Sequence, residues 1–221
     1  MTDKKAWLLG DPLLKENAPN PLEDRGDEIR AVLQHIDPEQ AALRTGSIYT
    51  STGEKRGTFK LALWNKDVIF AFPEFSAKDA HSGEELNTFD QTMLLYYFHI
   101  SGSTPQSSDW IAFTELPDGK FYTQAFQAYT GQELTLTFGN DSDAFAQAAE
   151  KLGGRREFFG NLAYSFHVLP RLALMVVCWL GDEDFPASYR ILFDASAGYH
   201  LTTDACAILG SQLTRMLIKA K

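Results

Sequence analysis

The C-terminal third of the chain carries its clearest hydrophobic pattern. Residues 172–179 have the sequence LALMVVCW, an unbroken apolar run that predicts a central strand covered on both faces. Residues 164–168 and 189–194 alternate, which predicts half-buried strands, and Gly181 with the acidic residues 182–184 is typical of a turn. The three runs together predict an antiparallel meander, followed by an amphipathic helix that begins near Thr202.

The N-terminal half combines helix starts with a hairpin. Asn20-Pro21-Leu22-Glu23 and Asp37-Pro38-Glu39-Gln40 each place a capping residue, a proline and a glutamate as helix starts do. Phe59–Leu63 and Val68–Phe72 alternate on either side of a tight turn at Asn65-Lys66. Two alternating runs joined so closely predict a hairpin with one apolar face.

The middle of the chain is expected to contain helices and one short strand. Ser82-Gly83-Glu84-Glu85 has the form of a capping box and predicts a long aromatic helix that ends before Gly102. Residues 110–113 predict a strand, and residues 122–129 and 141–152 predict two further amphipathic helices.

Grouped strands and grouped helices predict the α+β class. We expect antiparallel sheets, including the C-terminal three-stranded meander, packed against amphipathic helices. Residues 1–20 are expected to form an N-terminal arm, and residues 21–221 a single domain of ordinary size.

The charge and the composition of the chain disfavour several kinds of binding partner and cofactor. The 20 Lys and Arg against 29 Asp and Glu give a net charge of −9, which disfavours nucleic acid and anionic membranes. The start of the chain lacks a signal-peptide pattern, and the longest apolar run is far shorter than the ~20 residues of a membrane helix. The cytoplasm is therefore expected. Two cysteines, Cys178 and Cys206, cannot supply the thiolates of a typical iron–sulfur cluster.

Common catalytic and cofactor motifs are missing from the sequence. There is no GxGxxG after a strand, no GxxxxGK[ST], no HExxH, no GxSxG and no CxxC. The five histidines are scattered, and none pairs with another at metal-ligand spacing. We therefore expect no metal-ion site and assign no catalytic residue.

The segment between the last strand and the last helix is the best candidate site. Asp194 ends the strand, and Tyr199 and His200 precede the helix N-terminus, which is a natural anion site. Asp194 and His200 together could transfer protons or bind a ligand. Alternatively, Asp194 accepts backbone N–H bonds in the turn and His200 fills a gap.

Two further residues complete the predicted cofactor contacts. His99 could be an axial ligand of a metal cofactor, or its charge could complement the C-terminus of the aromatic helix. Trp110, like Tyr122, Tyr129 and Trp179, could stack on a flat ligand or belong to the core. The predicted cofactor-binding set is thus His200, Asp194, Tyr199, His99 and Trp110.

Several segments resemble a bacterial and archaeal family called domain of unknown function 3786. They are Phe89–Phe98, Trp110–Gly119 with Phe121-Tyr122, Ala144–Gly154, Leu172–Asp184 and Phe193–Ser196. The likeness covers roughly residues 25–218. It implies a role in anaerobes, where some members are fused to an iron–sulfur domain like that of corrinoid proteins. This chain departs from those members because it lacks cluster-ligating cysteines.

These observations predict a soluble accessory protein of anaerobic metabolism that binds a cofactor or small molecule. A corrinoid or another tetrapyrrole such as haem is the first expectation for the ligand. One alternative is an enzyme that uses Asp194 and His200 for acid–base chemistry. The other is an interaction subunit that binds a partner protein and no ligand.

Overall fold

The computed structural model describes residues 21–221, with side chains from residue 25 onward. The expected arm over residues 1–20 lies outside the described residues. The α-helices are α1 (Pro21–Leu33), α2 (Pro38–Thr45), α3 (Thr88–Ile100), α4 (Gly119–Ala128), α5 (Gly131–Phe138), α6 (Ser142–Lys151) and α7 (Thr203–Ala220). The strands are β1 (Ile48–Gly53), β2 (Arg56–Leu63), β3 (Lys66–Phe72), β4 (Ala77–Asp79), β5 (Trp110–Ala112), β6 (Arg155–Glu157), β7 (Leu162–Leu169), β8 (Leu172–Trp179) and β9 (Ser188–Asp194).

The described strands form two antiparallel sheets, which confirms the α+β class. One sheet has the order β1-β2-β3-β4 and the other β5-β9-β8-β7-β6. The predicted meander is β7-β8-β9, in which Cys178 pairs with Leu162 on one side and Tyr189 on the other. Short strands β5 and β6 extend the meander at its two edges.

Strand β8 is buried on both faces, as its unbroken apolar sequence predicts. Leu174 and Val176 belong to the main hydrophobic core, whereas Met175 and Val177 belong to a smaller cluster on the opposite face. The main core also contains residues of the β1–β4 sheet such as Phe59. The two sheets therefore share one core.

The predicted β2–β3 hairpin is confirmed, but its turn lies one residue earlier than expected. Leu63 pairs with Lys66, so the loop is Trp64-Asn65, and these residues have φ of 50° and 61°. A two-residue hairpin loop with positive φ at both positions matches the twist of the strands, and asparagine tolerates that conformation.

The predicted start of the aromatic helix is wrong. Helix α3 begins at Thr88, where the Asn87 side chain caps it by accepting a hydrogen bond from the Asp90 N–H. Ser82 lies in a turn, because the Asp79 carboxylate accepts hydrogen bonds from backbone N–H groups of that turn. Glu85 forms an isolated bridge with Lys78. The hydrogen bonds of the Asp79 carboxylate thus stabilise a turn at residues where the capping-box pattern predicts a helix start.

The region after α4 contains a helix that the sequence pattern did not predict. Helix α5 packs against β9, with Leu134 and Phe138 buried. A Cβ atom at Gly131 would collide with the backbone oxygen of Tyr189, so glycine is required where the helix meets the strand. Within residues 21–221, no helix has the length and apolar content needed to span a membrane.

Candidate functional site

The end of α3 meets the segment that precedes α7. The Gly102 N–H donates to the Tyr199 carbonyl oxygen at 2.8 Å. The Ser101 hydroxyl lies 2.8 Å from Nδ1 of His200. The structure therefore brings the predicted loop at residues 194–200 against the helix end that carries His99.

The Asp194 carboxylate is fully buried and accepts four hydrogen bonds. It accepts hydrogen bonds from the backbone N–H groups of Ser107, Ser108 and Ser196, at 2.9 to 3.0 Å, and from the Ser196 hydroxyl at 2.5 Å. Burial alone would raise the pKa of this carboxyl, but the four hydrogen bonds outweigh burial and the pKa is lowered. The expected backbone partners of Asp194 are present. They come from its own turn and from the loop before β5.

His200 is also fully buried. Apart from the contact of Nδ1 with Ser101, its ring has no hydrogen-bond partner on Nε2 within the described part of the chain. Burial lowers the pKa of His200, and the nearby Arg171 cation lowers it further. The imidazole is therefore neutral at neutral pH.

A partly buried polar network lies beside His200, whose ring centroid is 6.2 Å from that of Tyr97. The Tyr97 hydroxyl donates to the Thr45 carbonyl oxygen at 2.6 Å and accepts from the Arg171 N–H at 3.2 Å. The Arg171 guanidinium donates to the Leu43 carbonyl oxygen at 2.8 Å. Burial raises the pKa of Tyr97 to about 12, so the phenol stays protonated. The network ties α2, α3, the β7–β8 turn and the segment before α7 together.

The other predicted contact residues are spread around this corner of the molecule. Trp110 is half-buried on β5, pairs in register with Asp194 and packs against the Met175 cluster. Tyr199 is exposed beside His200, and His99 is exposed in the last turn of α3. The structure thus pairs Trp110 with Asp194 across two strands.

A surface cleft opens next to the same segment, and we call it the α4–α7 cleft. Its volume is about 510 Å³. Three parts of the chain line it: the end of α3, the turn and first residues of α4, and the segment leading into α7. The lining residues are Ile100, Pro117, Asp118, Phe121, Tyr122, Gly198, Leu201, Thr202, Thr203 and Asp204.

Local backbone features explain the shape of the cleft. Asp118 adopts a left-handed conformation with φ of 58°, and a Cβ atom at Gly119 would collide with the Phe113 carbonyl oxygen. This tight turn starts α4 with Phe121 and Tyr122 on its exposed side. The Thr203 hydroxyl donates to the Pro117 carbonyl oxygen at 2.5 Å and joins the turn to α7.

The chemistry of the cleft is aromatic and acidic. Phe121 is 83% exposed and Tyr122 54% exposed, although aromatic side chains are usually buried. Asp118 and Asp204 add carboxylates, and Asp204 already places a negative charge at the N-terminus of α7. The cleft favours a flat, apolar ligand that carries hydrogen-bond donors or positive charge.

The sequence pattern points to Tyr122 as a possible ligand contact, but it does not point to Phe121, Asp118 or Asp204. Residues 118–122 look like an ordinary turn and helix start, and their exposure depends on what packs against α4. The one available signal was two adjacent aromatics, Phe121 and Tyr122, since the amphipathic spacing uses Phe126 for the core.

The residues that the structure describes contain no cluster of side chains that could hold a metal ion. No group of three or more His, Cys, Asp or Glu side chains in residues 25–221 is arranged to hold an ion. Cys178 and Cys206 are free and buried, and burial raises the pKa of the Cys206 thiol to about 12. Neither thiol is therefore an exposed thiolate ligand.

Comparison with known proteins identifies a family but no characterised relative. Residues 37–216, most of the chain, match the family model described as Domain of unknown function (DUF3786). Neither the curated proteins nor the solved structures contain a match.

Proposed function

The chain belongs to the DUF3786 family, and we propose that it is a small-molecule-binding protein whose ligand occupies the α4–α7 cleft. One observation carries the proposal: two exposed aromatic side chains, Phe121 and Tyr122, line a cleft that also holds two carboxylates. Exposed aromatics cost free energy in water unless a ligand or partner covers them. A ligand in the cleft would remove that cost.

Size and rigidity support the same proposal. A volume of about 510 Å³ is within the range of small-molecule sites. The Thr202 hydroxyl caps α7, and the Thr203 hydroxyl holds the Pro117 turn, so hydrogen bonds fix two walls of the cleft. A preformed site binds with a smaller loss of conformational entropy.

Within this proposal, a corrinoid suits the cleft better than haem. The peripheral amides of a corrinoid are neutral and can donate hydrogen bonds to the carboxylates of Asp118 and Asp204. The carboxylates of haem, in contrast, would be repelled by these two aspartates. Among the predicted histidines, exposed His99 would hold the corrinoid metal: it directly precedes the lining residue Ile100, although His99 itself does not line the cleft. His200 is enclosed and cannot reach a ligand in the cleft without rearrangement.

The burial of Asp194 and His200 favours the structural alternative over acid–base catalysis. A general acid or base must come within hydrogen-bond reach of its substrate. Both side chains are 0% exposed, and the four hydrogen bonds of Asp194 leave its oxygens occupied.

The proposal is tested with hydroxocobalamin and haem as probes. Each is added to the purified full chain, and absorbance change and co-elution in gel filtration are measured. We expect cobalamin to bind, and Tyr122→Ala to weaken binding about tenfold, or ~1.4 kcal/mol, since one stacked ring is lost. Leu136→Ala is the matched control, because Leu136 is 81% exposed on α5 outside the cleft.

A second pair of variants tests the carboxylates. Asp204→Asn should weaken cobalamin binding, whereas Asp143→Asn, in the first turn of α6, should not. Cobalamin binding that is unchanged by Tyr122→Ala and Asp204→Asn would place the ligand elsewhere. If neither probe binds, and no small molecule is released on denaturing the protein purified from an anaerobic host, the binding function is contradicted.

A further inference from the structure

One of the four sheet edges in the described chain differs from the others. Strands β4, β5 and β6 are edges of three residues each, and β4 and β6 carry charged side chains. Strand β1 has six residues, with the sequence IYTSTG, and contains neither a charge nor a proline. Proteins usually shorten or charge their edge strands because an unpaired edge is a template for another strand. Strand β1 lacks both protections.

The outer edge of β1 is unpaired in the part of the chain that the structure describes. Residues 48–51 pair with β2, and no turn or loop hydrogen bond involves the backbone of residues 48–52. Every side chain of the strand is exposed except the half-buried Tyr49. The backbone donors and acceptors on this side are therefore available to another strand.

Open space lies beside this edge. A cleft of about 940 Å³ is lined by Tyr49, Ser51 and Gly53 of β1, by residues 34–39 and by residues 72–74. The α1–α2 connection therefore approaches β1 without filling the volume next to it. An additional strand could lie along β1 with its side chains partly in this cleft.

We infer that two copies of this chain pair through antiparallel β1 strands, which joins their four-stranded sheets into one continuous sheet. A two-fold axis makes the interface isologous, so wherever residue i of one copy faces residue j of the other, residue j also faces residue i. With Thr50 on the axis, Tyr49 faces Ser51 and Ile48 faces Thr52, and no like charges meet. Thr50 faces Thr50 on the axis, and Thr–Thr pairs stabilise antiparallel sheets.

The second copy is the occupant that the edge chemistry favours. The outer side of β4 is already hydrogen-bonded to residues 84–86, and a two-fold pairing there would also set Lys78 against Lys78, which is repulsive. Strand β1 instead presents an uncharged surface on a chain of net charge −9, so the copies can approach there without direct repulsion between side chains of the strand. Exposed Ile48 gains burial in the pair.

Analytical ultracentrifugation of the full chain tests this inference. We expect a species of twice the 24.7 kDa chain mass for the unmodified protein, and a monomer for Thr50→Lys, which sets two ammonium groups opposite each other. Thr58→Lys is the matched control. Thr58 pairs with Thr50 and lies on the same sheet face, but in the interior strand β2, so this variant should remain dimeric. Circular dichroism verifies that both variants fold.

Hydrogen exchange locates the interface independently. On dilution, those backbone amides of residues 48–52 that point away from β2 should exchange faster, while the amides of edge strand β4 should keep their rates. A chain that stays monomeric at hundreds of micromolar overturns the inference. A dimer that persists in Thr50→Lys, or one whose β1 amides exchange at the same rate at all concentrations, also overturns it. None of these outcomes depends on the α4–α7 cleft.

Discussion

Asp194 holds two segments of the chain in position relative to each other. Its carboxylate satisfies three backbone N–H groups from two segments, Ser107-Ser108 and Ser196. If the carboxylate is removed, the N–H and hydroxyl of buried Ser196 lose their acceptor, which is costly, whereas Ser107 and Ser108 are exposed residues. Asp194 therefore acts as a clamp between the loop before β5 and the turn after β9.

Asp194→Ala should lower the free energy of unfolding by about 1–3 kcal/mol, since the buried N–H and hydroxyl of Ser196 lose their acceptor. Urea denaturation measures the change. Asp182→Ala is the control, because the exposed Asp182 carboxylate accepts equivalent bonds from Asp184 and Phe185 in the acidic turn, where water can replace it. If both variants lose equal stability, or if Asp194→Ala keeps its stability while losing cobalamin binding, the clamp role is contradicted.

At the scale of elements, close packing decides where helices form. Helix α5 begins at Gly131, a residue that alone is a poor helix former. Its position is set by β9, since the Gln127 side chain donates to the Tyr189 carbonyl oxygen at 2.8 Å and Gly131 lies against the same oxygen. The contact with β9 outweighs the weak propensity.

Gly131→Ala should destabilise the protein by more than about 1 kcal/mol, because the new methyl group collides with backbone that cannot move freely. Gly26→Ala is the matched control. Gly26 lies inside α1, where a Cβ atom would make an ordinary contact with Leu95 at 3.5 Å, so this change should stabilise by about 0.5–1 kcal/mol. Thermal unfolding of both variants checks the prediction, and equal shifts in Tm would refute the role assigned to the α5–β9 contact.

At the scale of the whole molecule, the two sheets are joined through a shared core and by backbone contact. The Trp64 N–H, in the β2–β3 turn, donates to the Val168 carbonyl oxygen of β7 at 3.0 Å. Arg171 and His200 lie in the polar network that links α2 and α3 to the C-terminal sheet. A single domain over residues 21–221 stays a prediction.

The burial of neutral His200 should make global stability depend on pH. Its folded pKa is lowered, so the unfolded chain binds a proton first as pH falls below about 6.5, and stability declines until the folded pKa is reached. The slope is at most about 1.4 kcal/mol per pH unit. Urea denaturation between about pH 7 and pH 5 should show this decline, with a flatter profile for His200→Gln than for the control His99→Gln. Identical profiles for the two variants would contradict it.

The sequence alone determined the secondary elements whose signals are local. The alternation in residues 59–63 and 68–72, the apolar run of β8, the Asp37 and Thr202 caps and the stop at Gly153 all depend on residues close in the chain. These signals sufficed for the α+β class, the β2–β3 hairpin and the C-terminal meander. The resemblance to the family was also readable from the sequence, and the match over residues 37–216 confirms it.

Tertiary structure alone decided the candidate site. Ser101 and His200 are 99 positions apart in sequence, yet their side chains touch, and Asp194 binds a loop 86 and 87 positions away. Whether Phe121 is exposed or His200 is buried depends on which elements pack nearby. No local pattern contains that information, because burial is a property of three-dimensional packing. The α4–α7 cleft and the unpaired edge of β1 exist only once the sheets and helices have assembled.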